Sequence, residues 1–477
     1  MLEHDNKITI ARKWTIFFIM AIGTFMFLLT ASSINVALPL IEKEFSASLS
    51  SIQWVVTAYL LMISSVLPIF GWAGDMTQRK YVIALGFAVF AIGSLFCAWS
   101  TSLQELIIAR IIQGIGASMN MANSYAVITN TFPIAQRGRA LGMLGSSVAL
   151  GSISGPAVGG LILEWFGWHS IFYITVPFAV VGCIMATIYI PRAEKKAQYK
   201  KFDLVGSILL IGAISGFVIT LSQWGREGWS NLTIAMLGLL SIVLFILLYY
   251  WEKKISYPLI ELDMFKNKVF LNGNLAGLSA FLTLNVSAIL MPFYLHKVFD
   301  ATPKEMGMVL MVFPIMVIIS APISGTLSDR YGAPRFAISG MVIMTLAMLA
   351  LALTAHLQLL WLVVLILVFF GTGNGMFQSP NNSTTLAVIP VEKHGMAGSI
   401  VALMRNFGSV IGAALAVRVC DLVIESKKIG DVVTPELFIE GYRTSILMGA
   451  SFAFLGLLFS LNKKKNISTN VSGEEHA

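Results

Sequence analysis

Two arginines, Arg110 and Arg405, lie within long apolar segments of this chain. A charge in such a segment is costly to bury, and by default it marks an ion pathway or a proton relay. Gln113 lies one turn after Arg110, although an arginine at this position could also snorkel outwards to water. Arg405 has no acidic neighbour in sequence, so it could pair with helix carbonyls, with Asn381 or Asn382, or with an anionic ligand. These residue types suggest that the apolar segments bind a ligand or exchange protons.

A second polar group interrupts the first apolar segment, where residues 28–40 read LLTASSINVALPL. In a helix that turns about 100° per residue, Thr30 and Ser33 lie on one side and Ser32 and Asn35 on the other. A helix that is polar all round is unsuited to lipid. We therefore expect protein or cavity water to surround it.

None of the 24 Asp and Glu residues lies deep in an apolar segment. The nearest ones stand at segment ends, namely Asp75, Glu105, Glu164, Asp203 and Asp329. A buried carboxylate is the simplest carrier of a coupling proton, because burial moves the pKa of a carboxyl towards neutrality. If the chain transports a solute, we therefore expect that transport responds only weakly to a pH gradient, unless these acids or His169 carry the proton.

The elements that hold these residues are hydrophobic segments long enough to cross a bilayer. The chain is 57% hydrophobic and 12% charged, against about 45–50% and about 25% in soluble domains. Fourteen segments lie near 14–41, 52–74, 81–99, 104–129, 140–163, 170–190, 204–222, 231–250, 269–294, 304–327, 336–354, 357–385, 396–417 and 442–461. The first is too long for a secretory signal and lacks a cleavage site, so we expect it to remain as an anchor. The fold class is an all-α integral membrane protein.

The net charge of +8 follows from topology. With the N-terminus inside, 22 of the 32 Lys and Arg lie on the cytoplasmic side, 8 lie outside and two lie in spans, as the positive-inside rule requires. The basic runs 192–201 and 463–465 are then solvated juxtamembrane anchors rather than nucleic-acid sites. We expect a multi-pass protein of the cell membrane, with both termini in the cytoplasm and no nucleic-acid partner.

Cys97, Cys183 and Cys420 have no spacing typical of a disulfide framework or a metal site. We expect no metal, no cofactor and no enzyme activity.

The sequence also repeats itself, as transport folds with a site between two halves often do. PIFGWAGD at 68–75 matches PISGTLSD at 322–329, and the stretch from GIGASM at 114 matches that from GTGNGM at 371. The predicted domains are 1–190 and 269–461 as two six-helix halves, 191–268 as two inserted spans with linkers, and 462–477 as a cytoplasmic tail.

Four stretches make the chain resemble the fourteen-helix drug–proton antiporters of the major facilitator superfamily. They are INVALPLI with IQWVVTAYLL, RIIQGIGA at 110–117, GSISGPAVGG at 151–160 and PLIELDMFKN at 258–267. The resemblance implies the major facilitator fold, with two pseudo-repeats and two inserted central helices. It also implies that Arg110 and Gln113 belong to a proton-linked motif. Thr30 stands where the family normally has an aspartate.

The resemblance assigns a gating role to the small residues of GSISGPAVGG. Gly151, Gly155 and Gly159 form a smooth groove at i, i+4 and i+8, and Pro156 interrupts the helix; ordinary close packing is the alternative.

The family pattern also makes the loops that contain Asp75, Asp329 and Arg330 latches on the inner face, whereas helix capping is the simpler role. The first loop departs from the pattern at Met76 and Gln78, so we expect a weaker latch there.

By analogy with the superfamily cavity, aromatic and amide side chains on the facing helices should contact a flat, partly polar substrate. The candidates are Thr30, Asn35, Gln53, Trp54, Tyr59, Asn120, Asn123, Tyr294, Asn374, Phe377, Gln378, Asn381 and Arg405. Interfacial anchoring or hydrogen bonding between helices is the alternative for each of them.

Three functions remain open from the sequence. The first is multidrug efflux of amphipathic or aromatic compounds by proton antiport, with alternating access in a monomer. The second is transport, including import, of one aromatic metabolite or vitamin such as a flavin, with weak or no proton coupling. The third is a membrane sensor that moves nothing.

Overall fold

The computed structural model describes residues 10–191, 203–224, 230–255, 261–390, 394–427 and 434–474. Helices account for nearly all of these residues, and the described ranges contain no strand. The helices of the first part are α1 Ile10–Glu44, α2 Leu49–Ile52, α3 Trp54–Met76, α4 Arg79–Trp99, α5 Leu103–Thr131, α6 Ile134–Phe166, α7 His169–Tyr173 and α8 Thr175–Tyr189. The inserted pair is α9 Leu204–Gln223 and α10 Asn231–Lys254. The last part contains α11 Lys268–Phe299, α12 Pro303–Leu310, α13 Val312–Tyr331, α14 Ala333–Thr354, α15 Leu360–Ala387, α16 His394–Lys427 and α17 Pro435–Glu474.

Each of the fourteen predicted segments coincides with a helix or a helix pair. In the described ranges, twelve are long and apolar enough to cross a membrane by length and composition alone, with α2–α3, α7–α8 and α12–α13 each forming one span. The other two are α5, which carries several amides, and α6, which is rich in glycine. The predicted all-α membrane fold is therefore confirmed.

Local sequence explains where these helices begin. Thr302 Oγ1 accepts a hydrogen bond from the Glu305 backbone N–H, and the Glu305 carboxylate accepts one from the Thr302 backbone N–H, with Pro303 at the first helical position of α12. This capping box satisfies two N–H groups that the helix start would otherwise leave free. Asn267 caps α11 in a similar way.

The two halves use the same pairs of neighbouring helices. We call α1–α8 the N half and α11–α17 the C half. In the N half, α1 packs against α6 and α8, α5 against α3 and α4, and α4 against α8. In the C half, α11 packs against α16 and α17, α15 against α13 and α14, and α14 against α17. The inserted α9 packs on α10 and touches both α3 and α16.

The halves meet at one end of the bundle. We call the end where α1 begins and α17 finishes the inner end, and the opposite end the outer end; that the inner end faces the cytoplasm stays a prediction. One apolar cluster at the outer end contains residues of both halves, such as Leu38 and Leu295. At the inner end, Phe17 belongs to a cluster of the N half and Phe270 to a separate cluster that includes α15 and α16 of the C half.

Helix α17 departs from the prediction at its end. It continues past the predicted limit at residue 461 to Glu474, and Lys463 is buried, with 3% of its surface exposed. The interpretation of Lys463 as a solvated anchor is therefore wrong. Helix α15 provides hydrogen-bond acceptors for Lys463 that the sequence of the basic run does not indicate.

Candidate functional site

At the outer end the two halves touch through their backbones. A Cβ added to Gly160 of α6 would overlap the carbonyl oxygen of Pro303, and one added to Gly307 of α12 would overlap that of Pro156. Such contact is possible only where side chains are absent, which is how small residues let helices in membranes approach closely. The crossing of α6 and α12 is therefore a tight seal between the halves.

An ion pair reinforces this seal. Lys297 Nζ at the end of α11 donates to Glu42 Oε1 at the end of α1 over 2.9 Å. The two side chains are 32% and 15% exposed, so the pair is only partly shielded from water and contributes modestly. It joins the halves at the outer end.

The glycine groove of α6 holds α1. Ser33 Oγ donates to the carbonyl oxygen of Gly155 over 2.7 Å, and Ser32 Oγ lies 3.3 Å from that of Gly151. A Cβ on Gly155 or Gly159 would overlap these serines. Ser32 and Ser33 of the polar stretch in α1 therefore hold α1 against α6.

The Thr30 side chain also points into the protein interior. Its side chain is fully buried, and its hydroxyl donates to the carbonyl oxygen of Met26, one turn earlier in α1, over 2.9 Å. The polar residues around α1 are thus surrounded by protein on the sides of Thr30, Ser32 and Ser33, which explains why so apolar a helix tolerates them.

Arg110 lies at the centre of a hydrogen-bond network in the N half. It is fully buried; Nε donates to the Val55 carbonyl oxygen over 2.9 Å and Nη1 to Gln113 Oε1 over 2.5 Å. Gln113 Nε2 in turn donates to Ser94 Oγ over 2.8 Å. The guanidinium carbon lies 4.0 Å from the centre of the Tyr59 ring, a cation–π distance. The alternative that Arg110 snorkels outwards to water is therefore wrong.

This network fixes the first turn of α3. Arg110 is always protonated, and among the described side chains no carboxylate forms an ion pair with it. Its charge is instead balanced by a carbonyl, an amide and a ring. Because the carbonyl belongs to Val55, Arg110 orients the turn that carries Gln53 and Trp54.

Beside that turn, several buried polar atoms find no hydrogen-bond partner in the described parts of the chain. They include Asn35 Oδ1, both amide atoms of Gln53, Trp54 Nε1 and Thr57 Oγ1, and Arg110 Nη2 is a further one. We call Asn35, Gln53, Trp54 and Thr57 the unpartnered set. Buried polar groups are normally hydrogen-bonded, so these side chains are available to bind a polar ligand or water.

The helices that carry the unpartnered set lie beside the C half. Helices α2 and α3 pack against α1 and also against α16 of the C half. Trp54 packs on the same apolar cluster as Phe407 of α16. Four neutral polar side chains, together with the aromatic rings of Trp54 and Phe407, which we call the aromatic wall, suit a flat, uncharged molecule with several hydrogen-bonding atoms.

Comparison with known proteins identifies the family. A model of the family described as Major Facilitator Superfamily matches residues 20–413. The chain belongs to the Major Facilitator Superfamily. The riboflavin transporter RibZ of Clostridioides difficile (strain 630) is 36% identical over 84% of this chain and 87% of its own length. The multidrug resistance protein Stp of Mycobacterium tuberculosis (strain ATCC 25618 / H37Rv) is 29% identical over 83% of this chain and 73% of its own.

Solved structures agree on the fold. A bacterial homologue of the human lysosomal transporter Spinster, crystallised in an inward-facing and unoccupied conformation, superposes with a TM-score of 0.67. It shares 15% identity and covers 96% of this chain and 99% of its own. The predicted membership of the major facilitator superfamily is confirmed, and the multidrug resistance proteins among the relatives are consistent with the predicted drug–proton antiporter branch. A transporter rather than an enzyme is confirmed as the class of protein.

Most of the predicted substrate contacts of this superfamily member lie inside one half. The buried ones are Thr30, Tyr59, Asn120, Asn123, Tyr294, Asn374, Phe377 and Asn381. Tyr294, for example, donates to the Ala355 carbonyl oxygen over 2.7 Å and stacks on Tyr442 at 4.3 Å. Asn123 donates to the Phe70 carbonyl oxygen over 3.0 Å. These partners give Tyr294 and Asn123 contacts within their own half, and contact of the eight residues with a substrate stays a prediction.

The remaining candidates are more exposed, or their side chains lie outside the described residues. Gln378 is partly buried and donates to Asn374 Oδ1 over 3.0 Å, and Arg405 is exposed on α16. The side chains of Asp75 and Asp329 lie outside the described residues. The exposed Arg330 lies over the ring of Tyr331 at 5.5 Å. The latch role of these loops stays a prediction.

Sequence reasoning missed Thr57 and Lys463. Thr57 lies four residues after Gln53, which directly precedes α3, so helical periodicity places both on one side of the helix start and could have found Thr57.

Proposed function

We propose that this protein carries riboflavin, or another neutral flavin-like molecule, across the cell membrane by alternating access. The observation that carries this proposal is the unpartnered set: buried, uncharged donors and acceptors beside an aromatic wall. An isoalloxazine ring offers a flat aromatic body with imide and ring nitrogen groups, which such side chains can bind. The similarity to a riboflavin transporter supports the same substrate class.

Transport in this proposal runs down the concentration gradient of the substrate. Arg110, which bonds to Val55 beside the unpartnered set, holds its proton at all relevant pH values. Thr30, at the position where the family has an aspartate, bonds to its own helix. A site built from these groups has no carboxylate with which to exchange a proton, so flux should respond weakly to a pH gradient.

The access cycle follows from the contacts between the halves. The structure is sealed at the outer end by the crossing of α6 and α12 and by the Glu42–Lys297 pair. For substrate to enter from outside, both contacts must separate while the inner clusters approach each other. We propose that the domains 1–190 and 269–461 move as units in this step, with 191–268 beside them.

Multidrug efflux by proton antiport is the second candidate, because several relatives are named as multidrug resistance proteins. Its substrates are typically cationic or amphipathic, and it requires a proton carrier. The two candidates therefore differ in both substrate charge and response to a pH gradient.

Purified protein in sealed proteoliposomes separates them. We expect counterflow of labelled riboflavin that is unchanged when a pH gradient is imposed or collapsed. A cationic dye should not be transported. Transport of the dye that depends on the gradient, without riboflavin flux, would replace our proposal by the second candidate. Empty liposomes serve as the control.

A further inference from the structure

A buried lysine holds three helices of the C half together at the inner end. Lys463 Nζ of α17 donates to the backbone oxygen of Asn381 over 3.0 Å, to Asn381 Oδ1 over 2.9 Å and to Thr385 Oγ1 over 2.7 Å, both residues being in α15. Asn381 Nδ2 then donates to the Gly273 carbonyl oxygen of α11 over 3.0 Å. Lys463 therefore connects α17, α15 and α11 through one chain of hydrogen bonds.

The geometry of this cluster matches the protonated lysine. Thr385 gives its own proton to the Asn381 backbone oxygen over 2.6 Å, and the Asn381 amide gives its proton to Gly273. All three atoms that face Nζ are therefore acceptors. An ammonium group has three N–H donors to offer them, whereas a neutral amine has two donors and a lone pair that would face an oxygen. Loss of the proton breaks the match.

Among the side chains that the structure describes, no carboxylate pairs with Lys463. The elements packed against α17 are α11, α14, α16 and the short 3₁₀ helix Ala355–Leu357. The charged side chains described on the inner halves of these helices and of α15 are Lys268, Arg335 and Arg405, all basic and exposed, and none of them bonds to Lys463. On the 3₁₀ helix, His356 is at the outer end. Among the described residues, the atoms that accept hydrogen bonds from Lys463 are therefore neutral oxygens.

The cluster also lies at a break in α15. Pro380 has no N–H to donate to the Met376 carbonyl, and that oxygen accepts from Ser324 Oγ of α13 over 3.1 Å instead. Proline positions are where helices bend. Asn381 follows this break directly, so the lysine holds α15 at the point where it can move.

We propose that Lys463 is a positioning residue that locks the inner end of the C half while it is protonated. When the Nζ–H bond breaks and the proton passes to water at the inner end, the inner part of α15 is released from α17 and α11. The proton controls the rate of opening and does not cross the membrane, so this lock is compatible with transport that a pH gradient does not drive. It does not depend on riboflavin being the substrate.

Hydrogen exchange measured by mass spectrometry tests the lock without any substrate. Full-length protein in lipid nanodiscs is compared at mildly acidic and at alkaline pH, with exchange times scaled for the intrinsic rate. In the native protein we expect the amides of 381–389 to exchange about tenfold more slowly at acidic pH, the effect of losing one charge-assisted hydrogen bond.

Variants separate the proton lock from simple packing. Lys463→Met should exchange fast at both pH values, and Lys463→Arg, which keeps its charge, should stay protected at both. Lys266→Met, at an exposed ion pair with Asp263, should keep the native pH profile. Thr385→Val keeps Lys463 but removes one acceptor, so it should lower protection at acidic pH.

Native exchange that is equal at both pH values would overturn the proposal. So would a native-like pH profile in Lys463→Met. If Lys463→Met fails to fold, unchanged protection in Thr385→Val at acidic pH would overturn it equally.

Discussion

The outer and inner ends of this transporter are held together in different ways. At the outer end, backbone meets backbone where α6 crosses α12, and an ion pair joins α1 to α11. At the inner end, each half has its own apolar cluster, and the contacts that we identify, such as those of Lys463, stay within one half. The outer end is therefore a seal between halves, whereas the inner end depends on order within each half.

This difference indicates where substitutions act. At the outer end there is no space for additional side-chain atoms, because the helices are already closely packed. At the inner end, loss of a hydrogen bond loosens a helix without forcing the halves apart. The following changes break or sharpen this contrast, from the largest expected effect to the smallest.

Gly307→Ala should have the largest effect. Its Cβ would overlap the Pro156 carbonyl oxygen, so α6 and α12 must separate. Overpacking costs about 1–3 kcal/mol, enough to lower the transport rate about tenfold or more. Gly71→Ala is the matched control because a Cβ there meets nothing within 4 Å. Equal transport rates of the two variants would contradict a tight seal.

Arg110→Met should be the next largest. It leaves the Val55 carbonyl and Gln113 Oε1 without their donor, at about 1–3 kcal/mol for each buried group. We expect a clear fall in melting temperature together with weaker substrate binding, because the turn with Gln53 and Trp54 loses its support. Arg335→Met, at an exposed position, should change neither. A variant with the native melting temperature would show that the network is dispensable.

Gln53→Leu should act in opposite directions on stability and on binding. Removing two buried, unpartnered amide atoms stabilises the empty protein, by about 1 kcal/mol on the scale of unmade hydrogen bonds. The same change removes hydrogen bonds to substrate, so the KM for transport should rise about tenfold. A variant that is less stable and transports with native KM would show that this amide has a structural partner.

Glu42→Gln should have the smallest effect. A partly exposed ion pair contributes about 0.2–1 kcal/mol, so the outer seal should open at most about fivefold more often. Raising the salt concentration should produce a similar change in the native protein but not in the variant. A large loss of transport in Glu42→Gln would mean that the seal depends on charge rather than on the glycine crossing.

The sequence predicts the fold and one part of the site, and physical reasons limit the rest. Fourteen apolar segments and an internal repeat suffice for the architecture, and a lone arginine in α5 indicates a buried network. The direction of Tyr294 or Asn381 is harder to predict because these helices are apolar on most sides, so the hydrophobic period does not indicate which side faces the cavity. Lys463 looked solvated because a basic run after a span is typical of an anchor. Its burial depends on acceptors in α15, about eighty residues earlier.

Thr30 illustrates a second limit. The sequence predicts that protein or cavity water surrounds the polar stretch of α1, and in the structure Thr30 and Ser33 are buried. The partner of each hydroxyl depends on the rotation of α1 against α6, which is set by the glycine groove. Ser32 and Ser33 therefore lie against α6, and Asn35 is left for the unpartnered set.

Equilibrium binding of riboflavin tests the central claim that the unpartnered set recognises a neutral flavin. Quenching of flavin fluorescence is titrated with purified native protein, with Trp54→Phe, which removes only the indole N–H donor and part of the ring, and with Trp361→Phe at a position that is 64% exposed. We predict saturable binding to the native protein, an affinity about three- to tenfold lower in Trp54→Phe, and no change in Trp361→Phe. Absence of saturable binding, or equal affinities in the native protein and Trp54→Phe, would contradict this account.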